Sequence, residues 1–149
     1  MIVYAYYGFG KTTLCENNKF SPFIEIDEEF GQADDMHVLK QLSKHSILLV
    51  NGHIGLDEND DITIDVAFLP RNVNIAVNRL QQRGVDASFL TYMIETYDDV
   101  LQAVIKKARN VVFYEENEYL IHHAYELMHG QQLLEQHNDN NNTETRYTS

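Results

Sequence analysis

Apolar residues come in short unbroken runs, separated by polar stretches with helical spacing. Met1-Ile2-Val3-Tyr4-Ala5 is the first run and predicts a buried strand. Phe23-Ile24-Glu25-Ile26 predicts a second, Ser46–Val50 a third, Ile62–Leu69 a fourth stopped by Pro70, and Asn110–Tyr114 a fifth. Ile47-Leu48-Leu49-Val50 has no polar alternation, as expected for a strand covered on both faces. Between the runs, residues 11–16 are helix-compatible. Residues 34–44 carry Met36, Val38, Leu39 and Leu42 at helical spacing, with Asp34 or Asp35 as the cap. Residues 72–83 predict a helix on Val73, Val77 and Leu80, stopped by Gly84. Residues 86–108 predict a long amphipathic helix with a break near Tyr97, and residues 118–129 a last helix before Gly130. Residues 54–61 are polar and acidic and read as a loop.

Strands alternating with helices predict an α/β fold, a parallel sheet with helices on both faces. Residues 1–130 read as one domain. Residues 131–149, with Asn138-Asp139-Asn140-Asn141-Asn142 near the end, read as a polar, mobile C-terminal tail.

Composition narrows the setting. The 149 residues suit one domain with a real core. No run of about 18 apolar residues occurs, which argues against a membrane span. The first residues lack a basic segment, so no cleavable signal is expected. The single cysteine, Cys15, suits a reducing cytoplasm and excludes an internal disulfide framework. The histidines, including the adjacent His122 and His123, show no zinc-ligand spacing. The acids Asp57, Glu58, Asp60 and Asp61 lack the glycine and final glutamate of a calcium loop. The net charge is −12, and basic residues concentrate only at Lys106-Lys107-Arg109. That balance disfavours nucleic acid as a partner but not a small phosphate compound held by local backbone donors.

One motif carries chemistry. Ala5, Gly10, Lys11 and Thr12 satisfy [AG]-x-x-x-x-G-K-[ST] between a strand and a helix. In such a loop, backbone N–H groups wrap phosphates and the lysine reaches the β and γ oxygens. The threonine hydroxyl helps hold Mg²⁺. Gly8 and Gly10 let the chain curl. The candidate nucleotide-binding residues are therefore Gly8, Phe9, Gly10, Lys11, Thr12 and Thr13, with ATP and Mg²⁺ as cofactors. A chance match in a chain of this length is on the order of one per cent. The competing reading is an ordinary glycine turn with Lys11 in solvent.

On Tyr7-Gly8-Phe9-Gly10-Lys11-Thr12-Thr13-Leu14, Ile26-Asp27, Leu49-Val50-Asn51-Gly52-His53 and Arg79-Leu80-Gln81-Gln82-Arg83-Gly84, the chain resembles the P-loop kinases of the nucleoside monophosphate kinase group. Small phosphate-loop proteins encoded by phages look most similar. The likeness spans about residues 1–125 in element order, and only the glycine loop is a strong motif. It implies the three-layer P-loop NTPase fold, with a five-stranded parallel sheet of order 2-3-1-4-5. It implies that Asp27, backed by Glu28, lies near the acceptor or the metal, so that Thr12 and Asp27 are the metal candidates. It also implies that Arg79 and Arg83 clamp the transferred group, with Arg71 a weaker candidate. Guanidinium groups suit that work because they stay charged and grip oxygens in a fork. Strand three runs into Asn51-Gly52-His53 without a carboxylate, which argues against a motor-type ATPase.

The expected function is an ATP-dependent phosphotransferase acting on a nucleotide or similar small phosphate acceptor, with Lys11, Asp27, Arg79 and Arg83 as catalytic residues. It would work in the cytoplasm, or in the host cytoplasm if phage-encoded. About 20 residues separate strands two and three, which leaves little room there for an acceptor-binding insertion. A nucleotide-binding module or phage effector without turnover is the rival from another class. A polynucleotide-end kinase is the third reading, which the acidic charge opposes.

Overall fold

Five apolar runs pair into one all-parallel sheet of order β2-β3-β1-β4-β5. The computed structural model describes residues 1–17, 23–26, 33–53, 56–57 and 61–148, with side chains at all of these except 33–36, 38 and 137–148. The strands are β1 Ile2–Ala5, β2 Phe23–Glu25, β3 Ile47–Val50, β4 Ile64–Pro70 and β5 Ala108–Tyr114. The α-helices are α1 Lys11–Glu16, α2 Ala33–Leu42, α3 Val73–Gln82, α4 Ala87–Lys107 and α5 Ala124–Thr148. A 3₁₀ turn, Leu120–His123, leads into α5. The central strand β1 sets Val3 beside Leu49 of β3 and Val66 of β4.

Side chains alternate across each strand, so β1 and β3 feed two cores. Ile2, Tyr4, Leu48 and Val50 join one core with Leu39 of α2, Val77 and Leu80 of α3, and Met93, Tyr97 and Val104 of α4. Val3, Ala5, Ile47 and Leu49 join the other with Leu14 of α1, Leu120, and Ala124 and Leu127 of α5. Two covered faces explain why these strands read as unbroken apolar runs. The Tyr4 hydroxyl donates to the Gly52 carbonyl at 2.7 Å, which fastens the end of β3 beside β1.

Four local expectations change. Helix α4 runs 21 residues without the break expected near Tyr97. Tyr97 belongs to its buried stripe and its hydroxyl donates to the Pro70 carbonyl. Pro70 closes β4 from within, at the strand end, where a missing N–H costs no ladder bond. The last helical segment begins as the 3₁₀ turn at Leu120, two residues later than expected. Gly130 lies inside α5, where a side chain would press on Met1 Cε at 2.9 Å. The helix continues through the stretch read as a tail, and Gln131 there is buried with its amide donating to the Lys44 carbonyl at 3.2 Å. Asn- and Gln-rich composition signals poor core-forming capacity, yet one docked glutamine ties the first part of that stretch to the domain.

Burial holds the Tyr4, Tyr6 and Tyr114 hydroxyls well above their ordinary range and pushes Tyr97 up to about 12 from 10.0. Above pH 10 the unfolded chain loses phenolic protons that the folded chain keeps, so stability falls as pH rises. Below that pH these groups contribute their full stabilisation. Urea midpoints measured from pH 8 to 11 should drop above pH 10, more steeply than in a Tyr97→Phe variant. A flat profile would show that these phenols are not protected by the fold.

Candidate functional site

Strand β1 ends at Ala5, and the Tyr6 amide still donates to Phe68 of β4 at 3.1 Å. The chain then turns through Gly8 at φ +82° and Gly10 at φ +94°, in the left-handed region that strains any residue with a Cβ. Helix α1 starts at Lys11 and is only six residues long. Local donors rather than a long helix dipole must therefore define the chemistry of this turn.

The carbonyls of the turn are tied back into the protein. Arg79 Nη1 donates to the Gly8 carbonyl at 3.2 Å, and the Leu120 amide donates to the Phe9 carbonyl at 2.9 Å. The Phe9 ring is fully buried and stacks on Tyr114 at 3.9 Å with planes 15° apart. Among the described residues, the Gly8, Phe9 and Gly10 amides have no acceptor. Anchored carbonyls and unspent amides give a concave donor surface of the kind that suits anions.

Charged side chains gather at its mouth. Lys11 is buried, with Nζ 3.5 Å from Oε1 of Glu25, the last residue of β2. The Thr12 hydroxyl lies 3.0 and 3.1 Å from the two Glu25 oxygens, so it donates into that carboxylate. Burial pushes the neighbouring Cys15 thiol up to about 11; the Glu25 charge adds to this and Lys11 opposes it. A cleft of about 520 Å³ opens here, lined by residues 6–13, Glu25, Asn51, Leu80, Arg83, Val85 and Phe89. Its size is in the range of small-molecule sites.

Gly8, Phe9, Gly10, Lys11, Thr12, Thr13 and Arg83 from the sequence reading all line this cleft. Arg79 does not. It is buried behind the loop, and Nη2 bonds the carbonyls of Glu115, Glu116 and Glu118 at 3.3, 2.7 and 2.6 Å. Its guanidinium also stacks 4.0 Å over the Tyr119 ring. The i, i+4 spacing that put Arg79 and Arg83 on one helical face could not show that one end of that face is buried. Asp27 and Glu28 lie outside the described residues. His53 contacts the Tyr92 hydroxyl at 2.7 Å, and Arg71 pairs with Glu115; neither lines the cleft.

Two contributors escaped the sequence reading. Glu25 was legible only as a charged residue within an apolar strand. Asn51 was legible only as the end of β3. No protein-family model matches the chain, and no curated protein matches it either.

The two arginines should separate experimentally. Arg79→Ala leaves several carbonyls without a donor and should cost on the order of 3 kcal/mol or more in urea denaturation. Arg83→Ala, at an exposed position, should stay within about 0.5 kcal/mol of the parent. Equal losses would refute the assignment of Arg79 as the brace of the glycine loop.

Proposed function

We propose that the cleft binds ATP with Mg²⁺ and that the protein is a P-loop phosphotransferase acting on a nucleotide or similar small phosphate acceptor. The observation that carries this reading is the meeting of Lys11, Thr12 and Glu25 at a glycine turn whose amides are unspent. Backbone N–H groups of residues 8–13 would bind the phosphate oxygens. Lys11, loosely held at 3.5 Å, can exchange Glu25 for the β and γ oxygens. The donor set at Thr12 and Glu25 is hard oxygen and fits Mg²⁺, which would supply charge neutralisation for the phosphates.

Asp27 remains the acceptor-side candidate from the sequence, and Glu25 now shares its metal duty with Thr12. Arg83 is the exposed cation of the cleft and would neutralise charge on the group in transit. Arg79 serves the reaction by holding the loop. In the transfer, an acceptor oxygen bonds to the γ-phosphorus while the bond to the β,γ-bridging oxygen breaks. That electron pair leaves on ADP, and a carboxylate of the site takes the acceptor proton where there is one. Among the described residues no helix is long and apolar enough to cross a membrane.

Binding without turnover is the second reading. Among the described residues lining the cleft, Glu25 is the single carboxylate, and it already bonds Thr12 and Lys11.

Incubation with ATP, Mg²⁺ and a panel of nucleoside monophosphates, followed by ADP release, separates the two. A kinase should release ADP only with an acceptor, and Lys11→Ala should lower the rate by about 100-fold or more. ATP binding with no ADP release would establish the module, and absence of ATP binding would remove the phosphate reading altogether. Glu25→Gln should weaken the response to Mg²⁺ by about tenfold or more while metal-free ATP binding changes little. An unchanged Mg²⁺ titration would take Glu25 out of the metal site.

A further inference from the structure

Phosphate chemistry uses only part of the cleft. Its other wall is aromatic. Tyr7 and Phe89 meet edge to face at 5.1 Å, and Tyr6 meets Tyr7 at 5.1 Å. Tyr7 and Phe89 are both half-buried, so ring surface remains open to the cleft. Val85, between α3 and α4, adds an apolar side.

Polar groups on this wall are few. Tyr6 is 1% exposed, and its hydroxyl has no hydrogen-bond partner among the described residues. Asn51, just after β3, also lines the cleft, and its carboxamide carries both donors and an acceptor. Arg83 supplies a second cation, on an element separate from Lys11.

We propose that this wall is the subsite for the planar base of a nucleoside or nucleotide acceptor, stacked on Tyr7 and Phe89, read by Asn51, with its phosphate toward Arg83. The proposal rests on the reading that the glycine loop takes the triphosphate. Flat rings with π-faces suit aromatic walls, and the edge of a base carries donors and acceptors that match a carboxamide. An aliphatic acceptor would use the ring faces poorly. The α3–α4 junction would thus supply the acceptor wall that the short stretch between β2 and β3 lacks.

Calorimetric titration of the full chain tests this with three probes. Mg²⁺-tripolyphosphate reads the loop, unphosphorylated nucleosides read the wall, and nucleoside monophosphates read wall and Arg83 together. At least one nucleoside should bind. Phe89→Ala should weaken that binding about tenfold, the loss expected for one stacking partner, and leave tripolyphosphate unchanged. Phe89→Leu, which keeps apolar volume, guards against misfolding and should show the same direction. Arg83→Ala should weaken the monophosphate but not the nucleoside. Lys11→Ala should lose tripolyphosphate and keep the nucleoside. If no nucleoside or monophosphate binds while tripolyphosphate does, the subsite is overturned and the phosphate reading stands. If tripolyphosphate fails to bind while a nucleoside does, the phosphate reading falls and the wall survives as a base site. If Phe89→Ala weakens ATP as much as monophosphate, the wall holds the donor's own base and the acceptor assignment is overturned.

Discussion

The guanidinium of Arg79 joins stretches that are far apart in sequence. It leaves α3, reaches the Gly8 carbonyl on one side and the Glu115, Glu116 and Glu118 carbonyls on the other. Its positive charge is met by carbonyl oxygens and by the Tyr119 face rather than by water. A glycine-rich turn has many conformations to lose, so a fixed shape requires ties of this kind. Leu120 and the buried Phe9 supply the rest of the tie. Everything proposed for the cleft depends on this turn being held from behind.

That arrangement also bears on how an acidic protein could hold the phosphate compound proposed for the cleft. With a net charge of −12, the long-range field opposes phosphate. Backbone amides, a buried lysine and one exposed arginine act over a few ångströms, whereas the long-range field is screened by salt. On the proposed reading, polyanions would meet the whole surface and a compact phosphate compound only the cleft. Glu25 would fit the same logic, because a carboxylate beside Lys11 and Thr12 would repel a bare anion and favour one that carries a divalent cation.

The helical layer beside β4 has two tasks. Residues of α3 and α4 bury Val77, Leu80, Met93 and Tyr97 in the core, and their junction presents Arg83, Val85 and Phe89 to the cleft. The unbroken α4 matters here. Its buried Tyr97, bonded to Pro70, fixes the helix against the end of β4 and so fixes where its first turns stand.

Much of the fold was legible in the sequence. Apolar runs and helical spacing located the five strands of the sheet and most of the described helices, because period and burial are local consequences of which faces are covered. The sheet order came from the resemblance of the motifs, and the pairing of β1 with β3 and β4 agrees with it. The glycine turn between β1 and α1 was legible too, since Gly8 and Gly10 answer to its backbone conformation. The roles of Arg79, Glu25 and Gln131 were not. A buried and an exposed arginine four residues apart look alike in sequence, and only packing against the turn after β5 separates them. Glu25 acquires its meaning from α1 lying beside β2, and Gln131 from α5 reaching Lys44. The sequence by itself determined the layers and the loop through local pattern, while tertiary structure decided which polar side chains face the cleft and which are spent on carbonyls, because that depends on contacts between distant segments.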